Sequence, residues 1–504
     1  MPLLDNTQLR TLAQRGIDVP AYSRGGAPGV VHLGLGAFHR AHQALVFDAL
    51  LRTGDDRWGV LGVAMRSTAL ADQLATQDGL YAVQIASSAG THWALCGALW
   101  RTAVAARERH AVVRALAAPE TRWVTLTVTE KGYGPALAQL LVDGLAQRRA
   151  AGLGGLTIAS CDNLQHNGQR LQALVLAAAL EHGGDLERWV QDACAFPSSM
   201  VDRIVPAATP ARLATAHDAL GVDDGAALGT EAFWEWVVER RFADPTDAAV
   251  LARQGVTVVD DVAPYEEAKL RMLNGSHSAM ACIGAVAGLP VISDCIAQPA
   301  VHALVHGLMT HEVGPPLARP DWPQYRDALL ARFANPALQH SVHQIATDSS
   351  QKIPQRWPPA VLAAQHAGLP VHRLAFAAAA WMRYLRGHDE QRRPYAIHDP
   401  LVAELQALAG QHAGDAAATV RALGTLPAVW GDALPAHAAW LADVAHWLAR
   451  IDALGMLPAL TELNAYCGTL QVPSPPSVRA EPVEAEALAA KGPTSASSGR
   501  TGPV

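Results

Sequence analysis

The sequence predicts an α/β fold with a largely parallel sheet in its first half and a mainly α-helical second domain. Three observations predict it. Short apolar strand segments alternate with helical patterns as far as about residue 264. A glycine pair closes the first of those strands. Beyond Pro264 strand signals fade while helical periodicity persists.

At 504 residues the chain exceeds one ordinary core, so two domains are expected. Half the residues are apolar and 17% are charged, a globular composition. The net charge of -7 comes without any basic block, which argues against a nucleic-acid partner. Six cysteines lie scattered with no CxxC, so neither a disulfide framework nor a structural zinc is expected, and a reducing compartment fits. The N-terminus is polar and lacks a secretory core. The longest apolar stretch, 280–292, is short and broken by Gly and Pro. No membrane partner is expected, and a cytoplasmic location is.

In chain order, Val30-Val31-His32-Leu33 reads as a strand ending in Gly34-Leu35-Gly36, with helical spacing through Ala44, Leu45 and Leu50. A second strand is predicted over 58–63 and a helix over 68–76. Further strand signals lie at 81–85, 123–128 and 156–159, with helices over 105–117, 135–152 and 168–183. Helices are then predicted over 266–288, 297–312, 323–333, 358–367, 371–386 and 435–455. Residues 473–504, rich in Pro, Ser, Ala and Glu, read as a disordered tail. The predicted division is 1–264, 265–472 and 473–504.

The glycine turn at the first strand–helix junction suits a pyrophosphate, because the backbone approaches closely and the helix N-terminus favours negative charge. The third glycine of the usual fingerprint is missing, so the motif is weak alone. The segment from Tyr265 to His277 is sharper. With Lys269 as origin on a regular helix, Leu273 falls at about 40°, Glu266 at about 60°, His277 at about 80° and Asn274 at about 140°. A lysine, a carboxylate, an imidazole and an amide thus share one side of a helix that runs into the apolar Ala279, Met280, Ala281 and Ile283. The generic alternative, a solvated face, fits that continuation poorly.

Ser160 to Gly168 places polar residues at a strand's carboxyl end, where open α/β sheets contact ligands. Asp162 and Asn167 read as caps of the following helix, and Asn163 stays open. Residues 129–134, 196–203 and 348–356 read as loops. The 21 histidines form no HExxH, facial triad or Cys/His cluster, so no metal is expected.

Taken together, these segments resemble the long-chain polyol and uronate dehydrogenases, the mannitol 2-dehydrogenase / fructuronate reductase family. The likeness runs from about Val30 to about Leu470. It is sharpest at 34–42, 129–133, 160–168, 196–204 and 269–278, and the Lys-x4-Asn-x2-His pattern is especially specific. The resemblance implies a Rossmann-type N-terminal domain, a mainly α-helical C-terminal domain and metal-independent hydride transfer in the cleft between them. It implies Lys269 as general base, Asn163 and Asn274 as the oxyanion-holding pair, and His277 as the residue orienting substrate. Asp202 and Glu266 are implied as substrate-binding neighbours. Gly34, Gly36, Phe38, Arg40, Arg66, Glu130 and Lys131 are the implied dinucleotide contacts.

NAD is the expected cofactor on family grounds. However, the second strand continues into Met65-Arg66-Ser67-Thr68 with no carboxylate for the adenosine ribose, so NADP is possible. The segment Gln351 to Arg356 resembles the fructuronate-reductase branch, and Lys352 or Arg356 would pair with a uronate carboxylate. D-mannonate/D-fructuronate is therefore the expected small-molecule pair, with D-mannitol/D-fructose or D-arabinitol oxidation as the alternative. A non-catalytic nucleotide-binding sensor is the remote alternative, against which the intact Lys269, Asn274 and His277 set argues. The sequence leaves the oligomeric state open.

Overall fold

A computed structural model describes residues 2–87, 90–206 and 209–469, the side chains at 211, 212 and 337 excepted. The tail expected at 473–504 lies outside the described residues. Residues 1–470 form one compact unit. Among the described residues, no helix is long and apolar enough to cross a membrane.

The strands, in chain order, are β1 (Val30–Leu33), β2 (Val60–Ala64), β3 (Tyr81–Ser87), β4 (Gly90–Cys96), β5 (Leu99–Val104) and β6 (Trp123–Leu126). They continue with β7 (Thr157–Ser160), β8 (Ser199–Asp202), β9 (Leu228–Glu231), β10 (Glu235–Glu239) and β11 (Thr257–Val259). Five make a sheet in the order β5-β2-β1-β6-β7, parallel throughout. β1, β2, β6 and β7 are buried along their whole length, which is why they read as continuous apolar runs rather than as alternation.

Register aligns the carboxyl ends: Leu33 sits opposite both Val63 and Leu126, and Leu126 opposite Ser160. From β1 the chain builds outward to β2 and β5, then crosses to β6 and β7 on the other side. The β1/β6 boundary is therefore the switch point where open α/β sheets leave a ligand crevice.

One expectation about the sheet is corrected. The strand expected at 81–85 is not part of it. β3 instead forms an antiparallel hairpin with β4 and pairs with β9 in a separate three-stranded sheet. A third sheet, β11-β10-β8, sets β10 antiparallel to β8 with Glu235 opposite Asp202. β4, β5 and β8 to β11 have no counterpart in the sequence reading. β8 to β11 are short and β9 pairs with β3 far away in the chain, where periodicity carries no signal, while β4 and β5 mix buried and exposed positions without strict alternation.

Among the described residues, no strand follows Val259. The helices from Ala263 onward pack around an apolar core running from Ala268 to Cys467, separate from the two cores that flank the parallel sheet. The helix Gly275–Ala287 is buried on all sides and lies against His372–Tyr384. Its Gly, Ser and Ala residues permit that close approach. The 348–356 segment, read as a loop, is instead a helix, Ser349–Arg356, capped by Asp399, which accepts from Ser350 N at 2.8 Å. Asp399 is distant in sequence, so nothing local announced this helix.

Candidate active site

Lys269 opens a π-helical turn, Lys269–Asn274, between the helices Ala263–Ala268 and Gly275–Ala287. Its wider winding is seen in Gly275 N donating to Leu270 O, five residues back. Such turns are rare and cluster at functional sites. The regular wheel predicted for 265–277 is therefore corrected. Five residues at 100° each would place Asn274 well round from Lys269. An i+5 repeat stacks them on one side.

The lysine is 9% exposed. Its Nζ donates to Asn163 Oδ1 at 2.7 Å and to the Val201 carbonyl at 2.6 Å. Two of three ammonium donors are thus held, leaving one for a ligand. Asn163 follows β7 and Val201 lies in β8, so the amine is anchored at the carboxyl end of the parallel sheet. Burial pushes the Lys269 pKa below its usual 10.5; Asp202, Glu235 and Glu266 oppose that shift and Arg332 adds to it.

Lys269, Asn163, Asn274, His277, Asp202, Phe38 and His340 line a single cavity of about 290 Å³. No hydrogen bond within the described residues uses the Asn274 carboxamide or the His277 ring. His277 packs at 4.6 Å on Phe333 and edge-on at 5.4 Å to His340. Burial holds its pKa well below 6.5, so the ring is neutral.

Asp202 is not free for a ligand. Arg332 grips both its oxygens at 2.7 and 2.8 Å, and Tyr325 donates at 2.8 Å. The same guanidinium bonds Glu231 at 2.8 and 2.9 Å. Arg319 likewise bonds Glu235, the ladder partner of Asp202, at 2.7 and 3.1 Å. This buried ion-pair cluster was missed by sequence reasoning. The one local hint is Tyr325 and Arg332, two turns apart on an otherwise apolar face of Trp322–Phe333.

Glu266 lines a different pocket, one of about 20 Å³ that shares Asn163, Val201 and Lys269 as its wall. It accepts from His166 N at 3.4 Å, and its other oxygen is buried without a partner. The π turn separates it from His277, with which the regular wheel had grouped it. Asp162 and Asn167 do not cap the helix Asn167–Glu181. Asp162 accepts from Val128 N and Thr129 N, and Asn167 ties Asp162 to β8 through both the N–H and the carbonyl of Ser199. They fix the strand ends that carry Asn163.

Lys352 and Arg356 come close without entering that cavity's lining. Arg356 donates to Asn274 O at 3.2 Å and Ser278 Oγ at 2.6 Å. Lys352 donates to Ile345 O at 3.2 Å. Among the described residues neither has a carboxylate in ion-pair contact. Burial lowers Arg356 to about 10.

On the dinucleotide side, Gly34 adopts φ +100°, and a Cβ there would lie 2.2 Å from Thr127 O. Gly36 is unstrained, and a Cβ would meet nothing nearer than 3.6 Å. The protein leaves the space above Gly36 open, at the start of the helix Ala37–Ala41, which fits a bound pyrophosphate. Phe38 stacks on His42 at 5.1 Å. Arg66 is exposed at the end of β2, and Glu130 and Lys131 are exposed on a turn after β6. Arg40 departs from expectation. It is buried, donating to Ala226 O and Gly36 O beneath the turn, with its guanidinium over the Tyr81 ring. The short helix turns its fourth residue inward, so Arg40 braces the loop and does not face a cofactor. Among the described residues there is no group of three or more His, Cys, Asp or Glu placed to hold a metal.

Comparison with known proteins matches residues 28–248 to the mannitol dehydrogenase Rossmann domain and 261–452 to the mannitol dehydrogenase C-terminal domain. D-mannonate oxidoreductase of Escherichia coli (strain K12) is 38% identical over 448 residues, covering 82% of this chain and 91% of that protein. Mannitol 2-dehydrogenase of Phaeosphaeria nodorum is 36% identical over 430 residues, covering 78% and 75%. Mannitol 2-dehydrogenase of Pseudomonas fluorescens, solved as a ternary complex with NAD and D-mannitol, superposes with a TM-score of 0.78 at 32% identity, covering 91% and 99%.

Proposed function

The chain belongs to the mannitol dehydrogenase family of oxidoreductases, and from that premise we propose that it interconverts D-mannonate and D-fructuronate with NAD. The observation that carries this reading is the buried Lys269 ammonium, held by Asn163 and Val201 beside Asn274 and His277 in one cavity at the sheet's carboxyl end. The division at 264/265 is kept as a proposed functional boundary, since the π turn starts just beyond it.

When bound, the dinucleotide supplies hydride acceptance and donation at its nicotinamide. Gly34 and Gly36 would hold the pyrophosphate, with Phe38 beneath and Glu130 and Lys131 at the rim. In the oxidising direction, the substrate O–H bond breaks and its proton passes to the neutral Lys269 amine. The carbinol C–H electron pair departs as hydride, and a C=O bond forms. The Asn163 and Asn274 amides donate to the oxygen as its negative charge grows. A lysine whose pKa burial lowers from 10.5 is the better matched to carry the proton in both directions. His277, neutral and packed on Phe333, orients a neighbouring hydroxyl.

The acid end is supported by charge. Among the described residues Arg356 and Lys352 stand near the cavity without a carboxylate in ion-pair contact, and a uronate would supply one. Purified protein assayed with NADH should reduce D-fructuronate with a higher kcat/KM than D-fructose. Faster turnover of fructose would favour the mannitol reading supported by the Pseudomonas fluorescens relative.

The ribose end admits NADPH as well, because Arg66 and Ser67 replace the carboxylate that would repel a 2′-phosphate. Arg66→Asp is expected to shift the NADH-to-NADPH ratio of kcat/KM at least tenfold toward NADH, a shift of about 1.4 kcal/mol. An unchanged ratio would remove Arg66 from the cofactor site.

A further inference from the structure

We propose that His340 is the specificity residue that reads the carboxylate of the substrate in the cavity it lines with Lys269. The proposal rests on the uronate reading above and names the side chain that enforces it.

His340 lines the main cavity together with Lys269, Asn274 and His277, and also the narrow recess behind His277 that reaches Arg332. Its backbone is pinned: the carbonyl accepts from Ile292 N at 3.0 Å, and Ser341 bridges to Val291. The ring stands edge-on to His277 at 5.4 Å. Neither ring nitrogen has a hydrogen-bond partner in the described residues, and Nδ1 is buried in that condition. A buried imidazole Nδ1 left without a partner is costly unless a ligand completes it.

The charged groups around it have their bonds elsewhere. Arg332 is spent on Asp202 and Glu231, and Asp202 is balanced by Arg332 in return. Arg356 holds Asn274 and Ser278, and Lys352 holds Ile345 O. Among the described residues neither cation has a carboxylate in ion-pair contact, with Asp348 and Asp399 acting on Lys352 only through space, so two cations with donors to spare stand beside the unused His340 ring. A carboxylate is the anion with two acceptor oxygens that fits such a corner. A hydroxyl would leave the charge unanswered.

Burial, reinforced by Lys352, holds the His340 pKa below 6.5 in the free protein. An arriving carboxylate reverses that sign and draws a proton onto the ring. Uronate binding is then coupled to proton uptake, whereas binding of an uncharged ketose is not.

The test compares wild type, His340→Gln and His340→Arg with NADH, using D-fructuronate and D-fructose between about pH 5 and 8. Fructose meets the same Lys269, so the ratio of the two kcat/KM values cancels the lysine's own titration. The Gln variant should lower the fructuronate-to-fructose ratio roughly 10- to 100-fold, mainly through KM. In wild type the fructuronate KM should rise with pH. The Arg variant, permanently charged, should keep the ratio within a few-fold and flatten that rise. If the Gln variant misfolds, the Arg variant's pH response decides alone.

A wild-type preference for fructose sinks the uronate reading and this proposal together. A wild-type preference for fructuronate with an unchanged ratio in the Gln variant, or a pH-independent fructuronate KM, overturns His340 alone and leaves the reaction intact.

Discussion

Lys269→Ala is expected to lower turnover by roughly 10³- to 10⁴-fold while dinucleotide binding persists, the loss typical of removing a positioned general base. Among the described residues, the amine is the ionisable group that both bonds Asn163 and lines the cavity of Asn274 and His277. The glycine turn that would hold the pyrophosphate lies on β1 and makes no bond to it. Affinity for NADH, followed by quenching of protein fluorescence, should therefore survive.

The pH profile carries the sign. Alcohol oxidation needs the neutral amine, so its rate rises with pH and levels off above the Lys269 pKa, which burial places below 10.5. Ketone reduction needs the ammonium and falls over the same interval. Both limbs should vanish in the alanine variant. Near-normal turnover there would reject Lys269 as the base.

Arg332→Met should cost about 3–5 kcal/mol of stability, because it leaves two buried carboxylates without their cation. Arg332 is 5% exposed, Asp202 3% and Glu231 2%. The guanidinium joins β8 to β9, and through Asp202 and Val201 it steadies the carbonyl that accepts the Lys269 Nζ hydrogen bond. A lower thermal midpoint measures the stability loss. A second readout separates tuning from bracing. An unpaired Asp202 anion raises the Lys269 pKa, so the oxidation limb should move to higher pH in molecules that still fold. Arg332→Lys, which can neutralise only one carboxylate well, should fall between the two. An unchanged midpoint and pH profile would show the cluster to be dispensable.

Both expectations concern a cluster only half visible in the sequence. Four of the five parallel strands were legible because they are buried along their whole length and read as apolar runs; β5, partly exposed, was not. Lys269, Asn274 and His277 were legible because they lie within nine residues of one another. Arg332, Tyr325 and His340 were not, because each meets its partner across long stretches of chain. Lys352 and Arg356 were read in a loop, but their helix is capped by Asp399, fifty residues on from Ser349. Arg40 was misread because a residue beside a glycine turn can face the ligand or the core, and only the packing of β9 against that short helix chooses.

By itself the sequence determined the fold class and the family, and grouped Lys269 with Asn274 and His277, since apolar periodicity and short-range motifs are properties of contiguous residues. Only the tertiary structure decided which of the polar residues share a cavity. The π turn aligns Asn274 with Lys269 and moves Glu266 behind the wall. Arg332 neutralises Asp202, and His340 is left facing the cavity with its nitrogens unspent. Those outcomes depend on helix winding and on contacts between distant segments, where burial makes each unpaired charge or donor expensive, and no local pattern encodes them.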